Sequence, residues 1–353
     1  MVRELGGRLL MMRTLSLSIW LILSTSLNFA ADNEIQGESP VMESNRPRIV
    51  FATFAQNATQ LRHALVLCES LRKFGGRFSD APMIIYVPPE LMAGDSSLVA
   101  RLEKMGVTRR QISAPPEALR YFYARKVYAA AQCEEELDDD NQILVWLDED
   151  TIILQEPAEF DISGKLIKVG WRPVMHRNIG SLYAEPPDQF WSRVYHLLKI
   201  PDSSIFPMKT AASDEIIRPY INAGILVVRT DAGLLRQWKK AFETLYQDSM
   251  IKQQARLDPK TNIFLHQAAL AGAFLTTLSK DEMYQLPDSY NYPLFFKQMF
   301  GAPREFNDIE KVVTLRYDVF FENPTPDWWL NLTGSPATVA WMKARLGSPL
   351  QSE

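Results

Sequence analysis

Ile143-Leu144-Val145-Trp146-Leu147 runs without a break into Asp148-Glu149-Asp150, and Thr151-Ile152-Ile153-Leu154 turns apolar again at once. A short, wholly apolar run of this kind is the mark of a strand covered on both faces. Three acids in a turn flanked by core on both sides are costly unless something meets their charge. Residues two apart in extended backbone point to the same side, so the carboxylates of Asp148 and Asp150 can converge on one cation or one bridged diphosphate. In a parallel sheet, the end of a strand is also where ligands bind. The bland alternative, a solvated acidic turn, sits poorly between two apolar segments.

The rest of the chain supplies the layers such a strand needs. Arg48-Ile49-Val50-Phe51-Ala52-Thr53 and Met83-Ile84-Ile85-Tyr86-Val87 read as two further buried strands, with a weaker one near 107–112. Between them Leu61, Ala64, Leu65, Cys68, Leu71 and Phe74 recur at helical spacing and end at Gly75-Gly76. Helices are expected around 97–105, over 117–137, over 232–247 and over 262–275, and a strand over 221–228. Strands alternating with helices predict an α/β chain whose mostly parallel sheet is flanked by helices. The pattern is continuous over 47–335, with an irregular, proline-rich insertion between 170 and 212. A loosely ordered tail is expected over 336–353.

Composition closes off other classes. A net charge of −4 is the wrong sign for a nucleic-acid partner, which needs a basic face. The four histidines are scattered and the two cysteines, Cys68 and Cys133, stand far apart, so no zinc cluster can be assembled. A metal here would be hard and oxygen-ligated, which favours Mn2+ or Mg2+.

Arg3, Arg8 and Arg13 precede an apolar stretch over 15–29 that ends in Ala30-Ala31. Residues 1–31 thus read as a signal peptide or an uncleaved signal anchor, and a start at Met11 or Met12 would give a tidier signal. Residues 32–46 form a polar linker. The expected location is the secretory route: secreted or periplasmic, or an organelle lumen with a type II membrane anchor. Membrane contact is expected only through that segment. Asn57-Ala58-Thr59 and Asn331-Leu332-Thr333 are sequons that would matter only in a eukaryotic secretory route.

Asp148-Glu149-Asp150-Thr151 resembles the opening motif of haloacid dehalogenase-like phosphatases, but that motif lies at the start of its domain and needs a second acidic pair, which is missing after Thr151. A closer resemblance covers roughly 47–325. Thr53-Phe54-Ala55 at a strand end, Tyr123-Ala124-Arg125-Lys126 on a helix, Trp146-Leu147-Asp148-Glu149-Asp150, and Ile221-Asn222-Ala223-Gly224 occur in the order found in GT-A-fold glycosyltransferases, most similar to glycosyltransferase family eight. The resemblance implies a GT-A-like, Rossmann-type domain that moves a sugar from a nucleotide-sugar donor, with a UDP-sugar expected, to an unknown acceptor. It implies that Thr53, Phe54 and Ala55 hold the base and that Arg125 and Lys126 reach the donor. Asp148 and Asp150 would bind the metal, and Asn222 and Gly224 would line the sugar pocket.

Two departures stand out. His266-Gln267 replaces the family's Asp-Gln pair, leaving Gln267, His266 and Asn222 as the catalytic candidates. Arg316 stands where a histidine metal ligand is expected, with Asp318 close by, so Arg316 could itself neutralise diphosphate. A non-catalytic relative that binds carbohydrate or nucleotide is the alternative reading.

Overall fold

In a computed structural model of the chain the apolar runs become neighbouring strands of one sheet. The structure describes residues 48–93, 96–137, 142–164, 166–294, 308–317 and 332–346. The signal or anchor segment over 1–31, the linker over 32–46, Asn331 and Asp318 lie outside these residues.

In chain order the first half runs β1 (Arg48–Phe54), α1 (Ala58–Phe74), β2 (Met83–Val87), α2 (Pro89–Met92), α3 (Ser96–Lys104), β3 (Val107–Gln111), α4 (Ala124–Glu136), β4 (Gln142–Leu147) and β5 (Thr151–Ile153). It continues through β6 (Val169–Pro173), α5 (Gln189–Leu198), β7 (Met208–Lys209), β8 (Ile216–Ile217), β9 (Ile221–Arg229), α6 (Leu234–Gln247), α7 (Ser249–Leu257) and α8 (Pro259–Thr277). Last come β10 (Met283–Gln285), β11 (Tyr292–Pro293), β12 (Thr314–Arg316) and α9 (Pro336–Leu346).

Among the described residues the main sheet has seven strands in the order β10-β6-β9-β4-β1-β2-β3. β1 pairs in parallel with β2 and β4, and β2 with β3, whereas β9 is antiparallel to both of its neighbours. The mostly parallel sheet flanked by helices is therefore as expected. Alternation along β4 divides the core: Leu144 and Trp146 pack with α4, α6 and α8, while Ile143, Val145 and Leu147 pack with α1 and α3. Cys133 lies in the first layer and Cys68 in the second, both as free buried thiols.

β9 breaks this alternation. Ile221 and Ala223 face the same layer as Leu226 and Val228, so the parity changes at Gly224. The pairing with β6 slips at the same place, from Trp171 opposite Leu226 to Pro173 opposite Ile221. Residues 222–224 thus form a bulge beside the end of β4, and such irregularities re-aim side chains at sheet edges.

Two segments differ from the sequence reading. The stretch between 170 and 212 is not merely an insertion, because β6 belongs to the main sheet and α5 packs on the helical layer. The expected loose tail contains α9, whose Trp341 and Met342 are buried in a third, smaller core with Ile152, Leu315 and Tyr317. Trp341 packs edge-on to Phe74 at 5.2 Å.

Candidate functional site

The acids emerge where β1, β2 and β4 end. Asp148 follows β4 directly, and Glu149 and Asp150 form the turn into β5. The Asp148 backbone N–H donates to the Gly224 carbonyl at 2.9 Å, which ties the acidic turn to the bulge in β9. α4 starts at the same edge, so Lys126 in its first turn reaches Asp148 and pairs with Oδ1. β5 pairs antiparallel with β12, with Thr151 opposite Arg316, and the Tyr317 N–H donates to the Asp150 carbonyl at 3.2 Å. This register returns Arg316 to the acids from 166 positions downstream of Asp150.

The Arg316 guanidinium spans both aspartates. Its Nε lies 2.9 Å from Asp150 Oδ1, and its Nη1 lies 3.0 Å from Asp148 Oδ2. Nη2 donates to Asp150 Oδ2 at 3.0 Å. The cluster is nearly dry, with Lys126 6% and Asp150 3% exposed. Burial alone would raise the Asp148 carboxyl, but Lys126 and Arg316 outweigh it and hold its pKa below the usual range. Glu149 goes the other way, pushed well up by burial and then by Asp150 and Asp148. Two cations thus face two carboxylates, and the third acid gives up its charge most readily.

Gly224 makes room for this arrangement. A Cβ there would stand 2.2 Å from Arg316 Nη1 and 2.9 Å from both Asn222 Oδ1 and Asp148 Oδ2. Asn222 Oδ1 accepts from the Gly224 N–H at 2.7 Å, so this side chain braces the bulge from within.

His266 arrives from α8, whose start is fixed by Asp258. That carboxylate accepts from the Lys260 and Thr261 N–H groups at 3.1 and 3.0 Å. The buried His266 ring lies 4.3 Å from that of Tyr123 and its Nδ1 is 2.8 Å from the Ile263 carbonyl. Burial first, and Lys126 second, lower its pKa to about 3, so it is neutral at physiological pH. Gln267 turns its Oε1 inward, buried without a hydrogen bond.

Asp148, Asp150, Lys126, Asn222, Gly224, His266 and Arg316 therefore come together at one edge of the sheet. Arg125 does not join them: it pairs with Glu90 at 3.3 Å, and the next residue, Lys126, is the one that meets the acids. Thr53, Phe54 and Ala55 occupy the expected strand end, yet all three are buried and offer no surface to a base. Tyr123 was not picked out as a site residue, though its ring lies between His266 and Lys126, 5.5 Å from the ammonium nitrogen. Its place at the head of the segment Tyr123-Ala124-Arg125-Lys126 was the available signal. Asn57 of the first sequon is spent locally, its side chain capping α1 through the Gln60 N–H at 2.9 Å.

A divalent cation fits this set poorly. Every carboxylate oxygen of Asp148 and Asp150 already contacts Lys126 or Arg316. A dication about 4 Å from the guanidinium would be repelled by about 8 kcal/mol at an effective dielectric near 20. Among the described residues no group of three or more His, Cys, Asp or Glu side chains is disposed to hold a metal. A separate cavity of about 590 Å³, lined by Arg120, Tyr121, Tyr246, Lys252 and Arg256 among others, contains none of the residues of this cluster.

Residues 51–275 match a family model described as a Rhodobacterales glycosyltransferase domain. Among solved structures, the galactosyltransferase LgtC in complex with donor and acceptor sugar analogs is 14% identical with a TM-score of 0.42, over 76% of this chain and 86% of that one. Mouse xyloside xylosyltransferase 1 is 12% identical with a TM-score of 0.43, over 76% and 97%. The glycosyltransferase GlyE of Streptococcus pneumoniae TIGR4 is 14% identical with a TM-score of 0.44, over 87% and 66%. Comparison with curated proteins finds no match.

Proposed function

The chain belongs to the Rhodobacterales glycosyltransferase domain family, and from that membership we propose that it transfers a sugar from a nucleoside-diphosphate donor at the cluster of Lys126, Asp148, Asp150 and Arg316. The observation that carries this is the meeting of a buried lysine and a partly buried arginine with the acidic turn at the ligand end of a mostly parallel sheet. Breaking the bond between sugar and diphosphate leaves negative charge on the departing phosphate oxygen. Preorganised cations aimed at such charge typically supply several kcal/mol of transition-state stabilisation.

In this reading Asn222 and the bulge around Gly224 shape the sugar pocket, and Gln267 Oε1 accepts from a donor hydroxyl. His266, neutral and wedged against Tyr123, acts by positioning rather than as an acid. UDP is the nucleotide that the resemblance to family eight implies.

Calorimetry with UDP, GDP and their sugars, run on wild type and Asp150→Asn with and without manganese, tests the proposal. Binding of one nucleotide that weakens at least about tenfold in Asp150→Asn is expected. If no nucleotide binds under any condition, the proposal fails.

A further inference from the structure

We propose that the donor diphosphate is bound without a divalent cation, its charge being met by Arg316 and Lys126, which Asp148 and Asp150 hold in position. The inference rests on the nucleotide-sugar reading and specifies how that site meets its ligand.

Three observations carry it. First, the space between the converging carboxylates is filled by guanidinium, with contacts of 2.9 to 3.0 Å to oxygens of both aspartates. Second, the guanidinium has a built seat. β12 delivers it in fixed register opposite Thr151, and the backbone of β9 is bare at Gly224, where a Cβ would stand only 2.2 Å from Nη1. A side chain merely folded into an empty metal site would need neither feature. Third, Lys126 occupies the remaining oxygen of Asp148 from the opposite element and is itself buried, so a second positive charge guards the same place.

The planar, permanently charged arginine fork suits phosphate oxygens, and lysine is a compact point charge for the same ligand. The aspartates, on this account, are internal counter-ions. They keep two cations ordered in a nearly dry site, where unpaired charges would otherwise be expelled.

Two measurements on the full chain decide the matter. The first is calorimetry of UDP, GDP and inorganic pyrophosphate in EDTA and in manganese. Affinity should agree within about twofold between the two buffers and fall at least about tenfold in Arg316→Ala. The second is the electron paramagnetic resonance signal of free manganese titrated with nucleotide-free protein. Wild type should leave the ion free.

Arg316→Ala leaves two buried carboxylates unpaired and can unfold. Gly224→Ala is therefore run beside it, since it displaces the guanidinium but keeps its charge, and it too should weaken binding in EDTA. Nucleotide binding that appears only with manganese, or manganese bound by wild type and lost in Asp150→Asn, overturns this inference and leaves the nucleotide-sugar reading standing. Absence of nucleotide binding in both buffers overturns that reading and this inference with it.

Discussion

Lys126 and Arg316 contact the same carboxylate, yet they are held differently, and substitutions should separate them. Lys126 stands in the first turn of α4 and meets Asp148 alone, so Lys126→Ala leaves Arg316 to hold both acids. It should lower the transfer rate about 100-fold with a smaller change in KM, the pattern of an interaction that strengthens as charge develops. Steady-state kinetics check this, and an unchanged kcat would remove Lys126 from the chemistry. Gly224→Ala acts at the other cation. Its Cβ would stand 2.2 Å from the tip of the Arg316 side chain and 2.9 Å from Asn222 Oδ1 and Asp148 Oδ2, so displacing the guanidinium from its carboxylates should cost some thermal stability without unfolding the chain. Donor affinity should fall about tenfold or more because the guanidinium must leave its seat. A thermal melt run beside the binding measurement distinguishes this from a folding defect.

At the scale of the element, α8 is the part whose placement most affects the site. Trp238 of α6 is fully buried and donates from Nε1 to the His266 carbonyl at 2.7 Å, which locks the two helices at the level of the pocket. Trp238→Phe keeps most of the packing but loses that bond, and should cost about 1–3 kcal/mol in urea denaturation. Asp258→Ala, which removes the cap at the start of α8, should cost about 1 kcal/mol. Elements of this kind were the legible part of the chain. Ile143–Leu147 and Met83–Val87 are unbroken apolar runs because core covers both of their faces, and α1 carries an apolar stripe at helical spacing because it is covered on one. β6 was not legible, because Arg172 is buried within it, donating to the Leu286 carbonyl at 2.8 Å and pairing with Asp288 at 2.7 Å. A charged residue satisfied by distant partners interrupts the hydrophobic run on which strand reading depends. α9 was hidden for a related reason, since Trp341 and Met342 find their core only once β5 and β12 have paired.

Within the site, the aspartates announced themselves through their apolar flanks. The reason for Gly224 did not, because it lies in the path of a side chain from a distant strand. Arg316 drew notice only as a departure from an expected histidine, and its role emerges from the register of β5 and β12.

For the whole molecule, buried histidines set the response to acid. Burial lowers the His63 pKa to about 4, and burial with Lys126 lowers that of His266 to about 3, against about 6.5 in an unfolded chain. Between those values the unfolded state binds more protons than the folded one, so stability falls as pH falls, by about 1.4 kcal/mol per pH unit for each ring. Glu149, raised in the fold, works in the opposite sense and weakens the structure as pH climbs toward its folded value. His63→Phe keeps an aromatic ring beside Tyr317, 5.5 Å away, and removes the proton. Denaturation curves between about pH 6 and 4.5 should show the variant less acid-sensitive than wild type by about 1.4 kcal/mol per unit. Equal slopes would mean that His63 protonates freely in the folded state.

The contact between Asp150 and Arg316 closes across 166 residues, and this has a consequence for biogenesis. A ribosome adding roughly 5–20 residues per second needs about ten to thirty seconds to travel from the acidic turn to β12. Through that interval the nascent chain holds Asp148 and Asp150 with Lys126 as the only one of their two cationic partners yet made. The pocket thus has both carboxylates but one of their two cations in hand, and stays electrically incomplete until β12 docks. A nascent chain stalled before residue 316 would carry the acidic turn without its guanidinium.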